Sequence, residues 1–352
     1  MRCALVEFNA YHEETLPTFV HLLNELGIEP DVYMTRRSMR RDPFGLTHKL
    51  RYRLHRAERI DWLRGLRFRM RRYELLIVNS MEPPANTQRL METRTPVVGT
   101  MHNTALLAAE PVYRDFFAGP HRLPLVLGRH IATWFAQAGQ RLPWVLHVYF
   151  GRLEQRRTDP RPARPTTFAV SGNVEFTRRN YDGLLDAVAE LMAEGAPIKV
   201  RIVGRSTNRD GQVLRQRIEQ RGLSSAFELS SHETSHPEFF QLLADCDFVL
   251  PLLDHSAEHL GAYFETKLAS SVPFAIGLGV PLVMHDDLAS AYGVEACGIG
   301  HAEGGLASAM RAAVASTTSD RDGWRAALDI ARAEILAASL TNLREAIATA
   351  VS

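Results

Sequence analysis

The hydrophobic pattern of the chain alternates between short apolar runs and longer segments in which apolar residues recur every three or four positions. The runs at residues 4–6, 31–34 and 75–78 are short and continuous, as in strands of a parallel sheet covered on both faces. Between the first two runs, apolar side chains recur at helical spacing over residues 16–26, and Gly27 follows them. A strand, a helix and a second strand at this spacing predict parallel βαβ units.

The alternation runs to residue 148 and resumes after a segment of different composition. Residues 96–101, 123–127 and 144–148 predict three more strands in the first half. Residues 153–166 are rich in arginine and proline and lack apolar periodicity, which predicts a linker. In the second half, we predict strands at residues 167–170, 198–203, 226–229, 248–250 and 281–283, helices at 181–194, 213–221, 237–244 and 272–278, and two final alanine-rich helices at 324–337 and 340–351.

This order predicts an α/β protein with two Rossmann-like domains. The predicted divisions are an N-terminal domain (1–152), a linker (153–166), a C-terminal domain (167–320) and C-terminal helices (321–352). One possible arrangement has these helices packed against the N-terminal domain. A chain of 352 residues is long for a single core, which favours two domains.

Composition indicates a water-soluble protein of a reducing compartment. Hydrophobic residues make up 45% of the chain and charged residues 23%, both ordinary for globular proteins. The three cysteines, Cys3, Cys246 and Cys297, form no C-x-x-C pair. No apolar stretch reaches the roughly 18 residues of a membrane span. We therefore expect a cytoplasmic protein, with peripheral attachment to the inner face of the membrane as an option.

Charge is concentrated in one stretch, from Arg36 to Arg72. It holds 14 lysine and arginine residues against three acids, in a chain whose net charge is only +1. If the stretch is helical, the cations at positions 49, 53, 56, 64 and 67 share one face. Trp62 and Phe68 could then lie at the acyl boundary of an anionic membrane, which is the interpretation we favour. A solvated face is the alternative, and nucleic-acid binding ranks last because no recognised motif accompanies the charge.

The segment from Asp245 to Met284 combines a strand, a polar loop, a helix and a second strand. Ser270 and Ser271 precede the helix, serine is a good N-cap, and Lys267 lies shortly before them. A helix N-terminus beyond the carboxyl end of a parallel strand offers free N–H groups to an anion. This arrangement suits a diphosphate, while an ordinary βαβ unit with a well-capped helix explains the same pattern.

Three motifs of the second half resemble the GT-B glycosyltransferases, and most closely the retaining group-1 family. Residues 169–173 (AVSGN) with Arg179 resemble that family's first glycine turn and its basic residue, and residues 202–205 (IVGR) resemble its second glycine turn. Residues 275–283 (AIGLGVPLV) are similar to its small-residue helix and following strand. The first half is similar only in outline. The resemblance implies two domains facing a cleft and a nucleotide-sugar donor.

The chain also departs from that family. Its usual pair of glutamates, eight residues apart, has no clear counterpart, because Glu258 and Glu265 are seven apart and Phe274 occupies the second position counted from Pro281. Asn173 replaces the usual arginine of the first turn. The order of polar residues from Tyr263 to Ser271 is similar to inverting fucosyltransferase-like loops. The stereochemical outcome therefore stays open.

The resemblance and the residues that follow strands define the candidate site. The candidate donor-binding residues are Gly172, Asn173, Arg179, Gly204, Arg205, Tyr263, Glu265, Lys267, Ser270 and Ser271. The candidate catalytic residues are His102, His12 and Glu258, and those on the acceptor side are Asn9, Tyr11, Glu13 and Asn103. Histidine titrates near neutral pH and can accept a proton, and cations stabilise a leaving diphosphate. We expect no metal and no cofactor, because no D-x-D motif follows a strand in a suitable place.

The predicted function is transfer of a sugar, of the hexosyl type, from a nucleotide-sugar donor to a glycan or lipid-linked acceptor. The same fold class includes sugar-nucleotide 2-epimerases, which need no acceptor. The departures at Phe274 and Asn173 leave a third option, a non-catalytic sugar-nucleotide-binding module.

Overall fold

The computed structural model describes residues 1–10, 12–45, 49–57, 72–148, 164–230, 232, 234–256 and 260–352. The chain divides into two compact units. The N-terminal unit comprises Met1–Arg152, Thr266–Leu268 and Glu334–Ser352, and the C-terminal unit comprises Leu153–Glu265 and Ala269–Ala333. Among the described residues, no helix is both long enough and apolar enough to cross a lipid bilayer.

The N-terminal unit contains a six-stranded parallel sheet with strand order β3-β2-β1-β4-β5-β6. Its strands are β1 (Cys3–Val6), β2 (Asp31–Met34), β3 (Arg53–Arg56), β4 (Leu75–Val78), β5 (Val97–Met101) and β6 (Arg122–Val126). Every residue of the central strands β1 and β4 is buried, which explains their continuous apolar runs. The strand order reverses between these two strands, and α/β sheets bind ligands beyond the carboxyl ends of strands at such a point.

Helices supply two cores, one on each face of this sheet. The described helices of this unit that precede residue 266 are α1 (Leu16–Glu25), α2 (Arg36–Arg40), α3 (Pro84–Leu90), α4 (Ala105–Ala109), α5 (Pro111–Phe117) and α6 (Arg129–Gln137). Phe19 of α1 packs with Leu5, whereas Tyr113 of α5 packs in the cluster that contains Val6. Neighbouring strand residues thus point to opposite faces, as the two-residue period of a strand requires.

The C-terminal unit contains a second six-stranded parallel sheet, with order β12-β11-β10-β7-β8-β9. Its strands are β7 (Thr166–Ser171), β8 (Ile198–Val203), β9 (Phe227–Leu229), β10 (Phe248–Val249), β11 (Leu282–His285) and β12 (Gly298–His301). Its described helices before the final one are α7 (Tyr181–Ala193), α8 (Arg209–Gln220), α9 (His236–Ala244), α10 (Ala262–Glu265), α11 (Ser271–Leu278), α12 (Asp286–Tyr292) and α13 (Leu306–Ala315). The predicted α/β architecture with two parallel sheets is confirmed.

The final helix, α14 (Thr318–Val351), runs without interruption for 34 residues. The prediction of two separate helices is wrong here, because residues 338–339 are alanine and serine and contain no helix breaker. The part from Glu334 onward belongs to the N-terminal unit. There Leu343 and Ala346 pack in the same core as Leu5.

The segment 144–148, predicted as a strand, forms only an isolated bridge between Trp144 and Val126. Two of its backbone groups bond to side chains of α14, since Asn342 Nδ2 donates to Trp144 O at 3.0 Å and Leu146 N donates to Ser339 Oγ at 3.2 Å. Val145 and Leu146 are buried all the same. Burial under a helix produces the same apolar run as a strand, so the pattern could not separate them.

The helical interpretation of the basic stretch is wrong where the structure describes it beyond residue 49. Arg53–Arg56 is the edge strand β3, paired in parallel with β2, and Arg53 and Arg56 are exposed. The only apolar residue of this edge strand, Leu54, is exposed, so the strand carries no hydrophobic alternation by which it could be recognised. Trp62 and Phe68, predicted to meet the membrane, lie outside the described residues.

Candidate active site

A buried carboxylate, Glu7, follows β1 directly and lies at the carboxyl edge of the N-terminal sheet. Its Oε2 accepts hydrogen bonds from Ser80 Oγ at 2.8 Å and from Asn79 Nδ2, and its Oε1 accepts from the Asn9 amide at 2.6 Å. Burial raises the pKa of Glu7 to about 7, although the charge of His12 and these hydrogen bonds oppose the rise. A carboxyl group with a pKa near neutrality can hold or release a proton under ordinary conditions.

The imidazole rings of His12 and His102 stack on each other, with centroids 3.7 Å apart and planes inclined by 19°. His102 Nε2 lies 2.8 Å from Asn79 O and 3.2 Å from Ser80 Oγ. Because a carbonyl oxygen can only accept, Nε2 carries the proton and Nδ1 bears the lone pair. The network around Glu7 thus fixes one neutral tautomer of His102.

The two stacked rings differ in their titration. Burial and the charge of His12 lower the pKa of His102 well below its usual value. Burial lowers the pKa of His12 too, but the hydrogen bond and charge of Glu14 and the charges of Glu7 and Glu82 outweigh burial and raise it. The His12 side chain is 31% exposed. The pair therefore combines a buried ring whose pKa is lowered with a partly exposed ring whose pKa is raised.

Glu82 fixes the backbone after β5. Its Oε1 accepts from the amides of His102 at 2.8 Å and Asn103 at 2.7 Å. Burial raises the pKa of Glu82, against the lowering effect of these amide bonds. Its Oε2 and Asn103 Oδ1 are buried and have no hydrogen-bond partner among the described residues. These two oxygens are therefore available to donors on a bound molecule.

The predicted acceptor-side residues separate in the structure. Asn9 Nδ2 donates to Glu82 O at 2.7 Å, so Asn9 joins the Glu7 network. Glu13 is fully buried and pairs with Arg41 Nη1 at 3.0 Å. Its carboxylate is therefore engaged inside the unit. Tyr11, together with the candidate catalytic Glu258, lies outside the described residues.

Lys267, predicted for the donor site, belongs to the N-terminal unit as part of the crossover segment Thr266–Leu268. It forms an isolated antiparallel bridge with Asn103. Thr104 Oγ1 donates to Thr266 O at 2.7 Å, and His130 Nε2 lies 3.1 Å from Lys267 O. Lys267 is thereby brought beside the residues that follow β5, which sequence spacing alone did not indicate.

The two glycine turns of the C-terminal unit meet at the carboxyl ends of β7 and β8. Gly172 and Gly204 have φ values of +94° and +136°, in the region that favours glycine. A Cβ on Gly204 would lie 2.4 Å from Gly172 O, so the two backbones approach each other directly. Arg179 closes the first turn, because its guanidinium donates to Ser171 O and, at 3.3 Å, to Asn173 O. Arg179 thus supports the turn, and its Nε keeps no hydrogen-bond partner among the described residues.

Arg205 and Asn173 are exposed at these two turns. Within the described part of the chain, the Arg205 guanidinium makes no hydrogen bond or ion pair, whereas its backbone oxygen accepts from Val174 N at 3.1 Å. The backbone is therefore fixed while the cationic end remains available to an anion. The same turns contain Ser171 Oγ, which is buried without a hydrogen-bond partner among the residues described.

Helix α11 runs from Ser271 to Leu278, and Gly279, with a φ of +67°, is its left-handed C-cap. The Ser270 side chain does not cap the helix, contrary to the prediction, because Ser270 has helical dihedral angles and makes no capping hydrogen bond.

Phe274 is buried against Phe239 and Phe240 with its ring edge-on to both. It is a core residue. The remaining candidates are on or near α10, where Tyr263 is half-buried and Glu265 exposed.

Four residues of the N-terminal network were not among the predicted site residues: Glu7, Asn79, Ser80 and Glu82. All four lie just after β1 or β4, which are neighbours at the point where the strand order reverses. A polar residue directly after a buried strand was the available signal. Glu7 is the first residue after β1, and Asn79 and Ser80 are the first two after β4.

The sequence matches no protein-family model and no curated protein. Solved structures share its fold. HepE from Anabaena in complex with UDP has a TM-score of 0.67 at 14% identity, over 99% of this chain and 100% of that one. A glycosyltransferase from Rickettsia africae has a TM-score of 0.64 at 8% identity, over 99% and 98% of the two chains. A candidate UDP-N-acetylglucosamine 2-epimerase from Listeria monocytogenes has a TM-score of 0.58 at 10% identity, over 97% of each.

These likenesses extend over almost the whole of every chain, at identities that establish the fold alone. The two-domain α/β architecture implied by the sequence resemblance is therefore confirmed: this chain has the GT-B fold.

Proposed function

We propose that this protein is a glycosyltransferase that moves a sugar from a nucleotide-sugar donor to a hydroxyl-bearing acceptor. The observation that carries the proposal is the Glu7 network, in which a carboxyl group with pKa about 7 is coupled to the stacked rings of His12 and His102. A purely structural network has no need of titratable groups near neutrality, whereas removal of a proton from an acceptor hydroxyl does.

In the proposed reaction, the partly exposed ring of His12 takes the proton of the acceptor hydroxyl as its oxygen bonds to the sugar carbon. The bond from that carbon to the diphosphate breaks, and its electron pair leaves with the nucleoside diphosphate. His102 is a positioning residue, because its tautomer is fixed by Asn79 O and its ring lies against His12. The charge of Glu7 stabilises the protonated form of His12.

We propose the C-terminal glycine turns as the donor-binding side. Backbone groups that approach closely, with Arg205 exposed and free of described ion pairs, suit the charge of a leaving diphosphate. HepE has been crystallised with UDP and with UDP-glucose, which supports a uridine nucleotide and a hexose as the first donors to test. No metal is proposed for the transfer step, and the acceptor is proposed to be a glycan or a lipid-linked glycan.

Product analysis with UDP-hexoses, with and without acceptor, tests the proposal. We expect new glycoside and free UDP only when an acceptor is present. We also expect His102→Ala to lower kcat more than it raises the donor KM, because His102 lies in the unit without the glycine turns. If the variant lost only donor affinity, His102 would instead be assigned to donor binding.

The second candidate function is sugar-nucleotide 2-epimerisation, favoured by the likeness to the Listeria protein. An epimerase changes the nucleotide sugar when no acceptor is added, so a new epimer in that reaction would replace transfer as the function. A protein whose thermal stability rises with UDP, but which forms no product in either reaction, would instead be a binding module.

We further propose that the basic stretch attaches the protein to anionic lipid surfaces. Its described cations at positions 36, 37, 40, 49, 51, 53 and 56 are all exposed. Each cation near such a surface contributes roughly 1 kcal/mol, and the attraction decays within about a Debye length. The aromatic pair Phe44 and Tyr52 contributes to the fold instead, because the rings stack at 4.4 Å and Phe44 is buried.

Vesicle co-sedimentation tests this attachment. Wild-type protein should sediment with vesicles of anionic lipid at low salt and be released by added salt, while neutral vesicles should not retain it. The double variant Lys49→Glu with Arg51→Glu should lose most of this binding. Arg209→Glu with Arg215→Glu, which reverses two exposed arginines of α8, is the matched control. Equal binding to neutral and anionic vesicles would leave the stretch as a solvated face.

A further inference from the structure

Two histidines and an aspartate converge at the carboxyl edge of the C-terminal sheet, beyond the ends of β10 and β11. His255 follows β10, His285 ends β11 and Asp287 lies in the first turn of α12. One ligand atom from each residue lies within 4.8 Å of the others. The loop after β10, strand β11 and helix α12 therefore contribute one potential metal ligand each, and β10 and β11 are neighbours in the sheet.

The separations fit first-row metal coordination. His255 Nε2 and Asp287 Oδ2 are 3.0 Å apart, and His285 Nδ1 and Asp287 Oδ2 are 3.8 Å apart. Tetrahedral coordination with bonds of about 2.0–2.1 Å places ligand atoms roughly 3.3 Å apart. The two observed distances bracket this value, and the third pair of ligand atoms lies within 4.8 Å, so small side-chain movements would close the three ligands on an ion.

The surroundings of His285 match those of a histidine that binds a metal through Nδ1. Nδ1 accepts a hydrogen bond from the Asp287 amide at 3.2 Å, so this nitrogen bears the lone pair and Nε2 bears the proton. Nε2 lies 3.8 Å from Glu303 Oε2, and a ligating histidine usually donates its other N–H to a carboxylate. A bound ion would coordinate the Nδ1 lone pair of His285 and replace the long hydrogen bond from the Asp287 amide.

The orientation of His255 is also set by the protein. Its ring stacks on Phe264 at 4.4 Å, and its backbone amide donates to the same Glu303 Oε2 at 3.2 Å. Glu303 therefore contacts both histidine-bearing segments. His285 is 5% exposed, whereas the side chains of His255 and Asp287 are 48% and 66% exposed. An ion could thus enter from solvent and still be held against a buried ligand.

We propose that His255, His285 and Asp287 bind one divalent first-row transition-metal ion, with Glu303 as the outer partner of His285. Two imidazoles and one carboxylate favour zinc, nickel or copper over magnesium, which prefers oxygen ligands alone. The ion would join the loop after β10 to β11 and α12. The proposal is independent of the transferase function and assigns the ion no part in sugar transfer.

Calorimetric titration of the metal-free full chain with zinc tests the site. We expect one equivalent to bind and the thermal unfolding temperature to rise, and magnesium to do neither. His255→Ala and Asp287→Asn should each weaken zinc binding by on the order of 100-fold, and Glu303→Gln by about tenfold. Because His255 and Asp287 are both well exposed, these two variants should fold as the wild type does.

His232→Ala is the matched control, because His232 is an exposed histidine of the same unit that pairs with Glu238 at 3.0 Å. Zinc binding in this variant should equal that of the wild type. A wild-type protein that binds no zinc would overturn the proposal. Binding that survives in the His255→Ala, Asp287→Asn double variant would do the same, since 12 of the chain's 14 histidines lie outside the proposed site and could bind zinc there.

Discussion

The carboxyl edges of the two parallel sheets are built from different chemical groups. At the edge of the N-terminal sheet, side chains form the site: Asn79 and Ser80 donate hydrogen bonds to Glu7, and two stacked imidazole rings lie beside them. At the edge of the C-terminal sheet, the turns after β7 and β8 are formed mainly by backbone, with Gly172 and Gly204 in direct approach.

The difference corresponds to two kinds of chemical task. Titratable side chains with pKa values moved by burial and neighbouring charge suit proton transfer. Glycine turns that leave backbone groups and one exposed cation accessible suit an anion whose charge is spread over several oxygens. In the proposed function, the same sheet topology therefore supplies proton-handling groups in one unit and anion-binding groups in the other.

The largest expected effect concerns His12. His12→Ala should lower kcat by on the order of 10³-fold, because general base catalysis supplies a factor of about 10²–10⁴. The donor KM should change little, since the glycine turns stay intact. Steady-state kinetics of the purified variant give both values, and His232→Ala serves as an exposed-histidine control. An unchanged kcat would show that the N-terminal network does not handle the transferred proton.

Gly204→Ala tests the close approach of the two glycine turns in the C-terminal unit. The added Cβ would meet Gly172 O at 2.4 Å and would sit at a φ of +136°, so the unfolding free energy should fall by about 3 kcal/mol. Chemical denaturation measures the change. Gly323→Ala is the matched control, because Gly323 lies in α14 with nothing within 4 Å of the new Cβ, and alanine there should stabilise by about 1 kcal/mol. Equal stability of the Gly204 variant would mean that the turns can separate freely.

Glu7 makes stability depend on pH. Its pKa is about 7 in the folded protein and near 4.5 when unfolded, so the folded state binds more protons between these values. Stability should therefore fall as pH rises from about 4.5 to 7, by at most about 3 kcal/mol from this group. Glu7→Gln cannot ionise and should remove that fall. Thermal unfolding at a series of pH values measures it, with the exposed Glu219→Gln as control.

Arg205 gives the smallest of these effects. Arg205→Ala should weaken UDP binding about tenfold, since a hydrogen bond to a charged group contributes roughly 1.5–3 kcal/mol and an exposed one lies at the lower end. Arg209→Ala, which removes an exposed cation at the start of α8, should bind UDP as the wild type does. Calorimetry distinguishes the two variants. Identical affinities would place the diphosphate elsewhere than at the second glycine turn.

The sequence by itself determined the strand and helix order, because buried strands give continuous apolar runs and amphipathic helices give a three-to-four residue period. It also located Gly172 and Gly204, since only glycine meets the backbone demand at such turns. The sequence failed to predict elements whose hydrophobic pattern does not reflect their secondary structure. The edge strand Arg53–Arg56 has no apolar face to alternate, and residues 144–148 are apolar because α14 covers them.

Only the tertiary structure decided which polar residues act together. Glu7 and Ser80 are 73 residues apart in the chain, and Lys267 lies beside Asn103 across a still longer separation. The raised pKa of Glu7 likewise follows from burial, against the opposing charge of His12, and neither effect belongs to a sequence position. The chain encodes each residue locally, but hydrogen bonds, desolvation and charge pairing depend on distances that exist only after folding.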